Sequence, residues 1–213
     1  MVEGNLLMNV LMINGSPHKN GCTYTALSEV ARQLNKQEIE TNIFHIGTDR
    51  IRGCIACGKC AQSGHCTFND DAVNKCIDLA RAADGLVIGS PVYYASPNGA
   101  LCAFLDRMFF MKSAAYAYKP AAAIVNCRRG GATTAFDALN RYFSISRMPI
   151  VSSQYWNETH GTTPDEVRQD LEGMQTMRTL GDNMAWLLKC IDYSRQAVPY
   201  PVKDPPTPTN FIR

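Results

Sequence analysis

Apolar positions along this 213-residue chain follow two different periods. Short unbroken apolar runs are typical of strands that are buried on both faces of a sheet. Such runs predict strands at 10–13, 85–89 and 121–126, and segments with shorter apolar stretches predict strands at 41–46 and 150–154. Between the runs, apolar residues recur at i, i+3 and i+4, which is the spacing of an amphipathic helix. This spacing predicts helices near 26–34, 71–83, 98–111, 134–145 and 164–193.

The loop after the first predicted strand, NGSPHKNGCT at 14–23, is rich in Gly, Ser, Asn and Thr. In such a loop, backbone N–H groups, hydroxyls and the positive end of a helix dipole converge on an anion. Five residues separate Gly15 from Gly21, so the nucleotide P-loop spacing is not met. The dinucleotide pattern G-x-G-x-x-G is also absent. The loop therefore favours a phosphate monoester such as that of FMN, and an ordinary β–α turn with a Ser or Thr cap is the alternative.

Five apolar strands that alternate with helices, with a phosphate-type loop after the first, predict an α/β fold. We expect a flavodoxin-like three-layer sandwich, in which a five-stranded parallel sheet of order 2-1-3-4-5 carries helices on both faces. Ligands then lie at the carboxyl ends of strands one, three and four. The predicted FMN-binding domain covers 1–193, with a Cys-rich loop at 47–69 after strand two.

The last fifteen residues differ, because five of the eleven prolines lie there. Proline disfavours helix and central strand, so residues 194–213 are predicted to form an extended tail. The apolar residues Phe211 and Ile212, with Tyr193 and Tyr200, suggest that this tail packs on the same or a neighbouring subunit. Disorder is the alternative, because Pro-rich composition often means it.

Composition and charge narrow the class of protein. A hydrophobic content of 46% is enough for a sizeable core. A net charge of +2 gives no indication of a nucleic-acid-binding protein, which is typically strongly basic. No apolar run approaches the roughly 20 residues that span a bilayer. Glu3 stands where a signal peptide would carry positive charge, so we expect a cytoplasmic protein with no membrane partner.

The loops after strands three and four have the composition of a flavin-ring site. Residues 90–97 read SPVYYASP, in which prolines stiffen the chain and two tyrosines offer flat faces. Residues 127–133 read CRRGGAT and supply positive charge near the expected pyrimidine edge of the ring. A turn packed on the core and solvated arginines are the respective alternatives.

These loops together resemble the NADPH-dependent FMN reductase superfamily. The matching motifs are Gly-Ser-Pro-x-x-Asn-Gly-x-Thr, Ser-Pro-Val-Tyr-Tyr-x-Ser with Leu105-Asp106-Arg107 in the next helix, and Arg-Gly-Gly. The resemblance covers residues 8 to about 160. It implies FMN as cofactor and a homodimer or homotetramer with the flavin at a subunit interface. The phosphate contacts it implies are Ser16, His18, Asn20, Cys22 and Thr23. The predicted ring contacts are Pro91, Val92, Tyr93, Tyr94, Arg129, Gly130 and Gly131.

Four of the nine cysteines lie close together in the predicted loop after strand two: Cys54, Cys57, Cys60 and Cys66. The spacing C-x2-C-x2-C-x5-C is near the ferredoxin run but has a longer last gap and lacks its Pro. It resembles the iron–sulfur flavoprotein branch of the same superfamily, which implies a [4Fe–4S] cluster near FMN. Zinc, disulfides and free thiols are the alternatives for these residues.

The predicted reaction is electron transfer through FMN, with NAD(P)H as electron donor and a small molecule or redox protein as acceptor. The flavin would carry the chemistry, so no catalytic side chain is predicted. The first alternative is a flavodoxin-like electron carrier that is reduced by a partner protein. The second is a flavoprotein whose cysteine loop holds zinc or free thiols, and the third is a metal-binding or redox-sensing module without flavin.

Overall fold

A parallel sheet with helices on both faces organises the protein. The computed structural model describes residues 8–110, 113–205, 207 and 209. The strands are β1 (Asn9–Asn14), β2 (Glu40–His45), β3 (Gly85–Tyr93), β4 (Ser96–Pro97), β5 (Ala121–Cys127) and β6 (Glu158–His160). Their order is β2-β1-β3-β5-β6, with β4 paired antiparallel to β3. This confirms the predicted order 2-1-3-4-5.

Seven α-helices within the described ranges flank the sheet. They are α1 (Cys22–Lys36), α2 (Cys60–Ser63), α3 (Val73–Ala82), α4 (Gly99–Phe110), α5 (Ala132–Ile145), α6 (Pro164–Gln169) and α7 (Leu171–Ser194), and a 3₁₀ turn lies at Ser113–Tyr116. None of the helices in the described ranges is long and apolar enough to cross a bilayer.

Both faces of the sheet are buried, which explains the unbroken apolar runs. Leu11 and Ile13 of β1 belong to a core shared with α3, α4 and α5. Val10 and Met12, on the opposite face, belong to a core shared with α1 and α7. Successive strand residues therefore enter different cores, and neither face favours polar residues.

The fifth strand is displaced from its predicted position. At 150–154 only Ile150 forms an isolated bridge, to Ala121, and the regular ladder is formed by Glu158–His160 beside Val125–Cys127. Between these points the chain bonds to α7 instead. Ser153 Oγ donates to the Thr176 carbonyl at 2.7 Å, and Asn183 Nδ2 donates to the Ser152 carbonyl at 2.8 Å. The prediction of a strand at 150–154 is thus wrong, because the sheet hydrogen bonds stop at Val151, whose N–H donates to the Ala121 carbonyl at 2.8 Å, and the next two residues bond to α7.

The predicted single helix at 164–193 is two helices that meet at Asp170. Asp170 has φ −73° and ψ 83°, outside the helical region, and its Oδ1 accepts from the Gly173 N–H at 2.9 Å. The same carboxylate accepts from the His160 N–H at 2.7 Å. Asp170 therefore caps α7 and joins it to the end of β6.

The tail contacts the body of its own chain. The Tyr200 ring stacks on the Tyr118 ring with centroids 4.9 Å apart, and the Tyr118 hydroxyl donates to the Pro201 carbonyl at 3.3 Å. Residues 199–205 carry no helix or strand, in agreement with an extended segment. The predicted contacts of Phe211 and Ile212 lie outside the described residues, and the division at 193/194 stays a prediction.

The carboxylate of Glu29 joins α1 to α7. Arg32 donates to it at 2.9 and 2.6 Å, and Arg178 donates at 3.0 Å. The hydrogen bond from Arg32 holds the pKa of Glu29 below its ordinary value of 4.5, against the opposite effect of burial. A carboxyl whose folded-state pKa is depressed contributes stability above its unfolded pKa and loses it as the pH falls through the folded pKa.

We expect Glu29→Gln to lower the free energy of unfolding at pH 7 by about 1–3 kcal/mol, because bonds to two charged guanidinium groups are weakened. The difference in unfolding free energy between the variant and the unsubstituted protein should narrow as the pH falls below the ordinary pKa of 4.5 and through the lower pKa of Glu29 in the folded protein. Urea unfolding at several pH values measures this, with the exposed Glu40→Gln as control. A gap that does not change with pH would contradict this account of Glu29.

Candidate functional site

Three loops meet at the carboxyl edge of the sheet, after β1, β3 and β5. The Gly15 N–H, in the first loop, donates to the Gly89 carbonyl of β3 at 2.9 Å. Gly131, in the third loop, has φ 87° and lies so close to the turn between β3 and β4 that a Cβ there would stand 2.8 Å from Ala95 Cα. The structure thus brings together the three loops that the sequence singles out.

Side-chain donors hold three carbonyl groups of the first loop. Asn98 Nδ2 donates to the Gly15 carbonyl at 2.7 Å, and Asn14 Nδ2 donates to the Lys19 carbonyl at 3.0 Å. His45 Nε2 lies 2.8 Å from the Ser16 carbonyl, which requires a proton on Nε2 because a carbonyl only accepts. Carbonyl oxygens that would repel an anion are therefore occupied.

The N-terminus of α1 is open to a ligand. In the part of the chain that is described, no side chain caps this 15-residue helix, whose N-cap is Gly21. Thr23, in its first turn, is 1% exposed, and its Oγ1 has no hydrogen-bond partner among the described residues. A buried hydroxyl without a partner is costly, so Thr23 fits a group that accepts a hydrogen bond at this point.

The other predicted phosphate residues differ in exposure. Ser16 is buried, and its Oγ accepts from the His18 N–H at 3.1 Å, which leaves its hydroxyl hydrogen to donate. His18 and Asn20 are exposed at the rim. Cys22 is half-buried, and burial raises the pKa of its thiol, which therefore stays protonated at neutral pH.

The segment predicted as a loop at 90–97 is a hairpin, because β3 continues to Tyr93 and turns back as β4. β3 pairs with β4, and the two turn residues, Tyr94 and Ala95, have φ 51° and 58°. Two consecutive positive φ values are typical of a type I′ turn, whose twist matches that of the strands. Pro91 and Val92 are half-buried at its base. Tyr93 is 43% exposed and Tyr94 is fully exposed, so the hairpin presents two aromatic rings on its surface.

The loop after β5 lies beside this hairpin. Arg129 and Gly130 are exposed, and a Cβ at Gly130 would meet nothing within 4 Å. Cys127, at the end of β5, is buried, and burial followed by the nearby Glu158 raises the pKa of its thiol. Cys127 is therefore a poor nucleophile. His160 lies beside Asp170, with Nδ1 3.6 Å from Oδ2.

The four clustered cysteines border one pocket. Cys54 and Cys57 are exposed, Cys66 is half-buried, and Cys60, at the start of α2, is buried. Burial, followed by the three neighbouring cysteines, raises the pKa of Cys60. Over 8–110, 113–205, 207 and 209, no three His, Cys, Asp or Glu side chains are grouped as around a single metal ion. The four thiols thus share the lining of one pocket without being gathered around one point.

A family model described as NADPH-dependent FMN reductase matches residues 8–163. The chain belongs to the NADPH-dependent FMN reductase family. Its relatives within this oxidoreductase family include an iron–sulfur flavoprotein of Methanocaldococcus jannaschii, which is 28% identical over 192 residues, 86% of this chain and 99% of the relative.

Two solved structures show that this family member has the predicted flavodoxin-like fold. RosB with bound 8-demethyl-8-formylriboflavin-5′-phosphate matches with a TM-score of 0.67 at 14% identity, covering 97% of this chain and 94% of RosB. A flavodoxin from the domain Archaea matches with a TM-score of 0.58 at 11% identity, covering 85% and 99%. At these identities the likeness concerns the fold alone.

Sequence reasoning missed the residues that support the site. His45 and Asn98 hold the phosphate-type loop, and Asn74 and Arg107 hold Cys66. Arg107 was visible only as part of a family motif. The position of His45, at the carboxyl end of a strand, is the one signal that could have identified it.

Proposed function

We propose that the protein is an FMN-dependent NAD(P)H oxidoreductase whose cysteine loop holds a [4Fe–4S] cluster. The main support for FMN binding is the buried Thr23 hydroxyl in the first turn of α1, which has no hydrogen-bond partner among the described residues. The occupied carbonyls of Gly15, Ser16 and Lys19 support it. Family membership supports NADPH as donor, because the family model is described as NADPH-dependent.

In this proposal the chain binds and orients FMN through three loops. Ser16 and Thr23 donate to the phosphate, while the rim residues His18 and Asn20 and the backbone of Cys22 complete the contacts. At the ring, the predicted contacts are Pro91, Val92, Tyr93, Tyr94, Arg129, Gly130 and Gly131. Bound FMN would accept a hydride and pass its two electrons to an acceptor, together or one at a time, with release of the proton.

The cysteine loop fits an iron–sulfur cluster in its donor chemistry. Four thiols, those of Cys54, Cys57, Cys60 and Cys66, border one pocket, and Cys₄ is the ligand set of a [4Fe–4S] cluster. Support also comes from the relative in Methanocaldococcus jannaschii, whose name is iron–sulfur flavoprotein. A cluster would supply single-electron transfer to and from the flavin.

The first test is anaerobic purification, with FMN, iron, sulfide and zinc assayed on the same sample. Flavin absorption bands above a broad brown absorbance, with about four iron per chain, are expected. A yellow protein without iron would leave an FMN reductase with a zinc or thiol loop. A protein that neither contains nor binds FMN would overturn the proposal.

The second test separates a reductase from an electron carrier. NADH or NADPH should bleach the bound flavin under anaerobic conditions, at a rate useful for turnover. If neither nucleotide bleaches the flavin appreciably and a reduced partner protein is required instead, the protein is an electron carrier. Comparing the two nucleotides at equal concentration also identifies the preferred donor.

A further inference from the structure

Cys66 differs from the other three cysteines in how it reaches the pocket. Cys54, Cys57 and Cys60 lie on one short segment. Cys66 is separated from Cys60 by five residues, which include the rest of helix α2. Asn74 of α3 holds its backbone, because Asn74 Oδ1 accepts from the Cys66 N–H at 2.8 Å and Asn74 Nδ2 donates to the Cys66 carbonyl at 3.0 Å. The position of the fourth sulfur is therefore set by helix contacts.

The sulfur of Cys66 is held by Arg107 of α4. Arg107 Nε donates to Cys66 Sγ at 3.1 Å. The side chain of Arg107 is 0% exposed, and that of its partner Asp71 is 3% exposed. A guanidinium carries five N–H groups in a rigid plane, and Arg107 has an acceptor for each. These acceptors are Cys66 Sγ, both carboxylate oxygens of Asp71 and the carbonyls of Arg52 and Phe68.

This arrangement fixes Arg107 in one orientation. Its planar fork is engaged on every edge, so the Nε–H cannot turn away from Cys66 without breaking bonds in a buried site. The charge is balanced by Asp71, and the carbonyls that Arg107 binds belong to the cysteine loop itself. A donor so constrained points one charge-assisted N–H at a sulfur.

We propose that Arg107 is a positioning residue that holds Cys66 as the fourth cluster ligand and raises the reduction potential of the cluster. The inference rests on the proposed cluster. Hydrogen bonds to ligand sulfurs and nearby positive charge stabilise the reduced, more negative form, and they are among the properties that set cluster potentials. The contact is therefore expected to act on a measurable property besides enzymatic activity.

The test compares midpoint potentials of the anaerobically reconstituted protein and its variants, by redox titration with EPR detection. Asp71→Asn removes a negative charge and keeps Arg107. The amide oxygen of the new side chain can still accept from the Val73 N–H, which donates to Asp71 Oδ1 at 3.1 Å in the unsubstituted protein. This variant should shift the potential upwards. The double variant Asp71→Asn/Arg107→Gln restores the local charge balance but removes the guanidinium. We expect its potential to fall below those of both Asp71→Asn and the unsubstituted protein.

Arg52→Gln is the matched control. The Arg52 guanidinium is also in the cysteine loop, 3.6 Å from Asp70 and above the Phe68 ring, but it is 45% exposed, so solvent screens it. Its removal should move the potential less than either change at 71 or 107. Arg107→Lys covers the case in which the double variant does not fold, because it keeps the charge beside Asp71. Its potential should also lie below that of the unsubstituted protein.

The outcomes separate the two proposals. If the unsubstituted protein takes up no iron and sulfide, the cluster is wrong and this inference falls with it. If the protein and its variants hold four irons with equal potentials, the cluster stands and the role of Arg107 is overturned. Iron loss confined to the variants of Arg107, with Asp71→Asn fully loaded, supports the positioning of Cys66.

Discussion

Replacing Ser16 by Ala and Thr23 by Val together should weaken FMN binding by about 10²–10⁴-fold. Each substitution removes one hydroxyl donor, and a hydrogen bond to a charged group is worth about 1.5–3 kcal/mol. A tenfold change in affinity corresponds to about 1.4 kcal/mol. Both side chains are buried, so water replaces the lost bonds poorly. Quenching of flavin fluorescence during titration of the apoprotein measures the dissociation constant.

Thr25→Val is the matched control for this variant. Thr25 is also buried in α1, but its hydroxyl donates to the Gly21 carbonyl at 3.1 Å, so it is already used within the chain. This variant should retain its affinity for FMN. Equal dissociation constants for the double variant and the unsubstituted protein would show that the phosphate binds elsewhere.

Replacing Cys57 by Ser should reduce the iron bound after anaerobic reconstitution from about four to near zero per chain. An alkoxide forms far less readily than a thiolate, so Ser cannot take the place of the ligand under these conditions. Cys57 is exposed, so its substitution leaves the core intact. The FMN content should not change, because the phosphate-type loop lies after a different strand. Iron, sulfide, zinc and flavin are assayed together.

Cys190→Ser serves as the control for the cysteine variant, since Cys190 is also exposed but lies on α7. It should retain all of its iron. If the unsubstituted protein contains zinc and Cys57→Ser does not, the four cysteines form a zinc site and not a cluster site. Iron that persists in Cys57→Ser would exclude Cys57 from the ligand set.

The two clusters of residues that these variants probe share one structural support, α4. Asn98, directly before this helix, donates to the Gly15 carbonyl of the phosphate-type loop at 2.7 Å. Arg107, nine residues later, contacts Cys66 Sγ and two carbonyls of the cysteine loop. Because a helix is stiff over this length, the same element orients both loops relative to the sheet.

Local sequence patterns were sufficient to predict features that depend on a short stretch of chain. The apolar run at 10–13 predicts a strand buried on both faces, and the two cores confirm it. The loop at 14–23 and the tyrosines Tyr93 and Tyr94 were singled out by residue type, although the hairpin that carries the tyrosines was not predicted. Their contacts with FMN stay predictions.

Only the tertiary structure decided where distant segments compete for the same hydrogen bonds. The predicted strand at 150–154 begins with the apolar pair Ile150 and Val151, but α7 provides partners for Ser152 and Ser153, and the regular ladder is formed at Glu158–His160. Likewise, the periodicity of 164–193 continues through Asp170. The helix ends there because this carboxylate caps α7 and binds the His160 N–H.

The sequence by itself determined the α/β class and located the loops that bear the candidate chemistry, because these depend on periodicity and on short-range residue types. The strand order followed only from the flavodoxin-like fold that this pattern suggests. The tertiary structure decided which residues hold those loops in place. His45 and Asn98 hold the first loop, while Asn74 and Arg107 hold Cys66. Except for Asn74, which is eight residues from Cys66, these residues lie 29 to 83 residues from the ones they hold. A contact between distant residues leaves no local period, so only the folded chain reveals it.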